Sequence, residues 1–192
     1  MGLYSLVIDD FLDEPDLVRN YCLKQEFREE RSPVDNLLYK GVAKQVPLWL
    51  ELEMMTKLST YLSSPVVPFL SFFRLSLKNL ATRWVHTDVL YSRYVAVVYL
   101  NKKFPKQAGT RFFSHPKLDV LHGKKLDLKA CKLWDKIANK PREWDVAGEV
   151  PMRFNRMTVY DTSLFHAPLP KDGFGKGVKD GRLVYVMFFN VR

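Results

Sequence analysis

Two cysteines in 192 residues, Cys22 and Cys131, stand far apart and form no CxxC pair. That scarcity excludes a disulfide framework and a cysteine-ligated structural zinc, and it fits a reducing compartment. Long apolar runs are also missing. The longest, such as "VAVVYL", are far too short to span a bilayer, so no membrane partner is expected. The amino terminus "MGLYSLVIDDFLDEP" has no basic region ahead of its short apolar stretch, which argues against a secretory signal. It also lacks the Ser or Thr that myristoylation would want at the sixth position. Dense Arg/Lys clusters of the kind a dedicated nucleic-acid binder carries are not seen. The expectation is a cytoplasmic protein.

What is present describes a packed domain. The chain is 47% hydrophobic and 14% aromatic, too apolar for disorder, and its length suits a single domain over 1–192. The net charge of +9 is unevenly spread. Residues 1–66 hold seven basic and eleven acidic side chains, the remainder 23 and ten. A basic surplus on one part suggests an anionic partner without naming it, although generic solubility explains it equally well.

Periodicity divides the chain into a helical amino-terminal cover (1–65) and a strand-rich core (66–192) with an insertion at 114–150. "VIDDFLDEPDLVRNYCLKQEF" reads as a short strand and then a helix entered at Pro15, with Leu17, Val18, Tyr21 and Cys22 as its apolar stripe. A second helix is predicted from Pro47 to the stop at Pro65, burying Trp49, Leu52, Met55, Leu58 and Leu62. "VPFLSFFRLSL", "RYVAVVYLN", "GTRFFS", "RFNRMTVYD", "SLFHAPL" and "RLVYVMFFN" read as strands, several of them apolar on both faces. In the insertion, Leu126, Ala130, Leu133, Trp134 and Ile137 have helical spacing before Pro141. Helices followed by consecutive strands predict a mainly β fold, a sandwich or barrel with helices packed on one side.

The chain has only four histidines, His86, His115, His122 and His166. In "RWVHTDVLY", alternation along an extended segment turns His86 and Asp88 to one side, together with Trp84. Alone, that pair is equally a turn in which Asp88 caps a backbone group. His166, on the apolar run "SLFHAPL", is equally a satisfied core residue. His115 and His122 sit in the polar insertion, where exposure is the default. Two histidines and one carboxylate are nonetheless the ligand set that leaves positions open on non-haem Fe(II). Sixteen residues after His166, Arg182 opens a strand on which Val184, Val186 and Phe188 share its face, and arginine is suited to gripping a carboxylate.

The order of these parts resembles the Fe(II)/2-oxoglutarate-dependent oxygenase superfamily, nearest its prolyl-hydroxylase-like branch. The likeness runs from about Phe72 to Asn190. "HTD" is similar to the family's HxD, "YVAVVYLN" and "GTRFF" to the strands that follow, and "RMTVYDTSLFHAPLP" and "GRLVYVMFFN" to the distal histidine and the closing strand with its arginine. "VIDDFLDEPDLVRNY" is similar to the helical entry of these proteins. The resemblance implies a double-stranded β-helix, a cupin-like jelly roll with the amino-terminal helices on one sheet. It implies iron at His86, Asp88 and His166, and 2-oxoglutarate held by Arg182 with Tyr99 assisting. Dioxygen would be the oxidant, and succinate and CO2 would be released.

Asp88 argues for hydroxylation or a related oxidation, because the family's halogenases carry glycine or alanine there. Two features depart from the pattern. Val184 stands where many members have a serine two residues after the arginine, and the insertion has no clear counterpart.

Trp84, Tyr91 and Arg74 are candidate substrate-pocket residues. The glycine-rich "KDGFGKGVKDG" is read as either a lid or an ordinary connection. The expected substrate is a small molecule or peptidyl side chain, with an anionic one suggested. A nucleic-acid demethylase, an inactive cupin-like binding barrel and a zinc hydrolase stay open as rivals.

Overall fold

The computed structural model describes residues 5–34, 36–78, 84–118 and 128–192. Ten strands run in chain order: β1 (Ser5–Ile8), β2 (Arg28–Arg31), β3 (Leu38–Ala43), β4 (Val66–Ser76), β5 (Tyr94–Tyr99), β6 (Gly109–Ser114), β7 (Asp145–Pro151), β8 (Met157–Asp161), β9 (Phe165–Leu169) and β10 (Arg182–Val191). Three α-helices accompany them, α1 (Pro15–Leu23), α2 (Leu48–Leu62) and α3 (Leu128–Ile137). The strands form a seven-stranded sheet, β1-β8-β5-β10-β4-β3-β2, facing a three-stranded sheet, β7-β6-β9. This is the cupin-like jelly roll expected above. None of the described helices is long and apolar enough to cross a membrane.

β10 lies at the centre of the large sheet between β5 and β4, and every residue from Arg182 to Phe189 is buried. Its unbroken apolar run follows from cover on both faces. On the outer face, Leu183, Tyr185, Met187 and Phe189 meet Phe73 and Leu75 of β4, Ala96 and Val98 of β5, and the two amino-terminal helices. On the inner face, Val184, Val186 and Phe188 meet Val95, Val97 and Tyr99 of β5 and Phe112 of β6. A third cluster backs the small sheet, where Trp84, Val85, Phe113, Trp144 and Phe165 pack with Ile137 of α3.

The structure corrects the amino-terminal reading in two places. Residues 1–65 are not solely helical: β2 and β3 form an antiparallel hairpin that extends the large sheet past β4. Gly41 makes the junction possible. It has φ +72°, and a Cβ there would lie 2.1 Å from the Leu75 carbonyl oxygen. The buried side of α2 is also rotated. Leu50, Met54 and Leu58 are fully buried, whereas Trp49 and Leu52 are 41% and 51% exposed. Met55 and Leu62 are partly buried against the same core. In α1, Val18 and Cys22 are buried and Leu17 is exposed.

The insertion carries α3 and, at its end, β7, which pairs along β6. Leu133, Trp134 and Ile137 pack inward as their spacing implied. Leu126 and His122 lie outside the described residues.

Candidate metal and co-substrate site

The segment carrying His86 and Asp88 runs along the edge of the small sheet before the chain enters β5. His86 forms an isolated antiparallel bridge with His166 of β9, its N–H donating to the His166 carbonyl at 3.0 Å and its carbonyl accepting the His166 N–H at 2.9 Å. The Asp88 N–H donates to the Thr162 carbonyl at 2.9 Å, in the turn between β8 and β9. Backbone pairing thus fixes both parts of the HxD against the distal histidine before any side chain is considered.

The two imidazoles are oriented alike. Nδ1 of His86 lies 2.9 Å from the Trp84 carbonyl oxygen, and Nδ1 of His166 lies 2.9 Å from that of Leu164. A carbonyl only accepts, so each Nδ1 carries a proton, and Nε2 is the ring atom each histidine turns toward Asp88 and the cavity. Those nitrogens and a carboxylate oxygen of Asp88 converge, all within 4.8 Å of one another. Nε2 of His166 is 3.3 Å from Oδ2 of Asp88. The donor set fits a divalent metal held by two imidazoles and one carboxylate, each imidazole being oriented by the backbone carbonyl its Nδ1 bonds.

The electrostatics agree. Burial, reinforced by neighbouring His166, pushes His86 down to about 4, so its imidazole is neutral at physiological pH. Burial alone would raise the Asp88 carboxyl. The hydrogen bond and charge of His166, with that of His86, outweigh it and hold the group below its ordinary value. The edge of Tyr160 closes one side, its ring centroid 4.8 Å from that of His166.

A cavity of about 1370 Å³ opens from this cluster between the sheets, larger than most single-ligand pockets. Arg182 lines it and is 7% exposed, with Nε buried and without an acceptor among the described residues. Its guanidinium carbon lies 5.6 Å from the centroid of the Tyr99 ring, and the Tyr99 hydroxyl is 2.7 Å from that of Thr110. Arg182, Val184, Val186 and Phe188 all face the cavity, as strand parity implied.

Of the proposed pocket residues, Arg74 and Tyr91 line the cavity. The Tyr91 ring stacks on Phe188 at 4.5 Å, and its hydroxyl is 2.7 Å from that of Ser32 in the β2–β3 turn. Trp84 is a correction. Its side chain points behind the small sheet, T-shaped against Phe113 at 5.1 Å, with Nε1 donating to the Pro168 carbonyl at 3.0 Å. The segment is not extended there, so the parity that would have turned Trp84 with His86 fails. His115 stays apart from the cluster, its ring against Trp144.

The loop 171–181 is knitted into the fold. Phe174 is buried in the inner core, and the Asp180 carboxylate accepts the N–H groups of Lys176 and Gly177. That is the ordinary connection, not the lid.

Sequence reasoning missed the hairpin residues at the cavity mouth, among them Tyr39, Lys40 and Lys44, and also Thr110 beneath Tyr99. The alternation of "LYKGVA" with its glycine was the available signal for the hairpin.

A family model for the family of unknown function DUF6445 matches residues 2–189. The chain belongs to that family. No curated protein matches this DUF6445 chain significantly.

Solved structures share its fold at low identity. HygX from Streptomyces hygroscopicus, with nickel, 2-oxoglutarate and hygromycin B bound, is 14% identical. It superposes with a TM-score of 0.61 over 97% of this chain and 82% of its own. SnoK, a non-haem α-ketoglutarate-dependent carbocyclase from nogalamycin biosynthesis, is 13% identical with a TM-score of 0.61, over 98% and 82% of the two chains. AviO1 from Streptomyces viridochromogenes Tue57 is 16% identical with a TM-score of 0.57, over 96% and 88%.

Proposed function

We propose that this DUF6445 protein is an Fe(II)- and 2-oxoglutarate-dependent oxygenase that hydroxylates a small molecule or peptidyl side chain in the cytoplasm. The observation that carries the reading is a single cavity holding both halves of the machinery. At one end two imidazole Nε2 atoms converge with a carboxylate, and the same cavity is lined by Arg182, a buried cation with no carboxylate partner among the described residues and with Nε unbonded. The likeness to HygX and SnoK supports it, since those proteins bind or depend on the same co-substrate. The finer placement in the prolyl-hydroxylase-like branch rests on Tyr99 beside Arg182.

His86, Asp88 and His166 would hold iron through three ligand atoms, leaving positions open toward the cavity. Iron and 2-oxoglutarate, once bound, supply the oxidation of a C–H bond by dioxygen, with succinate and CO2 as co-products. The chain supplies orientation. The Nδ1 bonds to Trp84 and Leu164 fix the imidazole planes, and Arg182 offers two parallel N–H donors to the far carboxylate of 2-oxoglutarate. Val184, Val186 and Phe188 line the floor and exclude water.

The test is an anaerobic titration of the metal-free protein with Fe(II) and then 2-oxoglutarate, following the visible metal-to-ligand charge-transfer band. The expected result is a band in the wild type that His166→Ala abolishes and Arg182→Ala weakens, followed by succinate release in air. A folded wild type that gives no band would overturn the assignment.

A further inference from the structure

The triad and Arg182 leave a second arginine with a buried, unbonded nitrogen in the cavity unused. Arg74 lies on β4 opposite Val184, and Arg182 lies opposite Ser76, so the two guanidiniums are diagonal neighbours on one face of the large sheet. Like charges at that spacing repel. Among the described residues neither has a carboxylate partner, and Nη1 of Arg74, like Nε of Arg182, is buried without an acceptor. Burial pushes Arg74 down to about 10, which leaves it a cation at neutral pH. A desolvated guanidinium with an unmet donor is unfavourable until an anion reaches it.

The two arginines serve different parts of the cavity. The charge of Arg182 acts on Tyr99 and Tyr160. That of Arg74 acts on His86, and its strongest tyrosine partners are Tyr39 and Tyr91, one on the hairpin and one on the wall beside the metal cluster. The Arg74 guanidinium lies 5.7 Å from the centroid of the Tyr39 ring and that of Arg182 lies 5.6 Å from the centroid of Tyr99, so each arginine faces a different wall of the cavity. Arg31, Lys40, Lys44 and Lys171 add cations to the lining. Its carboxylates are Glu30, paired with Lys44 at 2.6 Å, and Asp88 in the triad.

We infer that Arg74 anchors an anionic group of the substrate, and that the substrate is a small molecule bearing a carboxylate or phosphate. The substrate assignment rests on the oxygenase reading; the anion site itself does not. Arg74 lines the cavity together with Tyr39 and Tyr91, its Nη1 is buried and unbonded, and the cavity has room for such a molecule beside 2-oxoglutarate.

The experiment uses inorganic sulfate as the probe, because it is a tetrahedral dianion that leaves Fe(II) in solution. Sulfate binding is measured by calorimetry at constant ionic strength, on the anaerobic Fe(II)·2-oxoglutarate complex and on the metal-free protein. The variants are Arg74→Gln, Arg74→Lys and Arg182→Gln. Sulfate is expected to bind the wild-type complex saturably. Arg74→Gln should weaken it at least about tenfold and Arg74→Lys should partly restore it, while Arg182→Gln changes it by less than about threefold. For 2-oxoglutarate the pattern should invert, with Arg182→Gln costing at least about tenfold and Arg74→Gln little.

Three results would overturn the proposal: no saturable sulfate binding to the wild type, displacement of sulfate by 2-oxoglutarate, or an Arg74→Gln variant that loses 2-oxoglutarate instead. Should the charge-transfer band be absent while metal-free protein still binds sulfate through Arg74, the oxygenase reading falls and the anion site stands. A loss of fold in Arg74→Gln is recognised by circular dichroism, and the charge-retaining Arg74→Lys then carries the comparison.

Discussion

The side-chain amide of Asn101 brackets Arg182. Its Nδ2 donates to the Gly181 carbonyl at 2.8 Å, and its Oδ1 accepts the Leu183 N–H at 2.7 Å, so both peptide neighbours of the arginine are held by one buried side chain. Close packing supports the arrangement, since a Cβ on Gly181 would lie 2.5 Å from a methyl of Leu77. Asn101→Ala should leave a buried carbonyl and a buried N–H unpaired and cost about 2–4 kcal/mol in urea unfolding. It should weaken 2-oxoglutarate binding at least about tenfold while leaving Fe(II) affinity nearly unchanged. Equal loss of both ligands would show a general collapse instead of a misplaced arginine.

Metal should act as a clasp. His86 and His166 belong to segments 80 residues apart in sequence, joined by one isolated bridge. At about 100 times the dissociation constant, a ligand that binds only the folded state adds roughly 2.7 kcal/mol. For a chain of this length that is a rise of about 5–10 °C in melting temperature with Ni(II) or anaerobic Fe(II). Asp88→Ala and His86→Ala should each lose the rise. An unchanged melting temperature for the wild type at saturating metal would contradict a preformed site.

The pH dependence has a definite sign. His86 has an ordinary value of 6.5 and a folded value of about 4. Between those limits the unfolded chain carries a proton on this residue that the folded chain does not. Metal-free stability therefore falls as pH drops from about 6.5 to 4, by at most about 1.4 kcal/mol per pH unit from this group. His86→Gln should flatten that part of the profile, which chemical denaturation at several pH values would reveal. Above about pH 7.5, where neither state carries the proton, the profile of the variant should run parallel to that of the wild type.

Core substitutions on α2 separate its two candidate faces. Leu50→Ala or Met54→Ala, both fully buried, should cost about 2–5 kcal/mol. Leu52→Ala, on the exposed side, should stay within about 0.5 kcal/mol. Urea midpoints for the three variants decide it.

That helix also marks where the sequence was readable. Its ends at Pro47 and Pro65 were legible because proline punctuates, but "LWLELEMM" is apolar on more than one side, so periodicity could not choose between the Trp49–Leu52 and the Leu50–Met54 stripe. The inner face of β10 was legible, since strand parity needs only one known member, and Arg182 supplied it. The convergence of His86, Asp88 and His166 was guessed from residue types and their order. The backbone bridge that produces it joins residues no local pattern connects. β2 escaped notice because "REER" is four charges in a row, which as a sequence resembles a solvated surface. Trp84 was misassigned by extending strand alternation past the point where the chain is extended.

The same charged strand has a consequence for how the family can diversify. The β2–β3 hairpin lines the cavity, and among the described residues its strand pairing with β4 consists of Val42 opposite Arg74 and Ala43 opposite Phe73. The metal ligands and Arg182 sit on other elements. The hairpin tip can therefore accumulate substitutions, or be exchanged between relatives, without disturbing the chemistry beneath it. A library confined to residues 28–34 and 36–40 is expected to change which ligands the cavity admits while metal binding by His86, Asp88 and His166 stays constant.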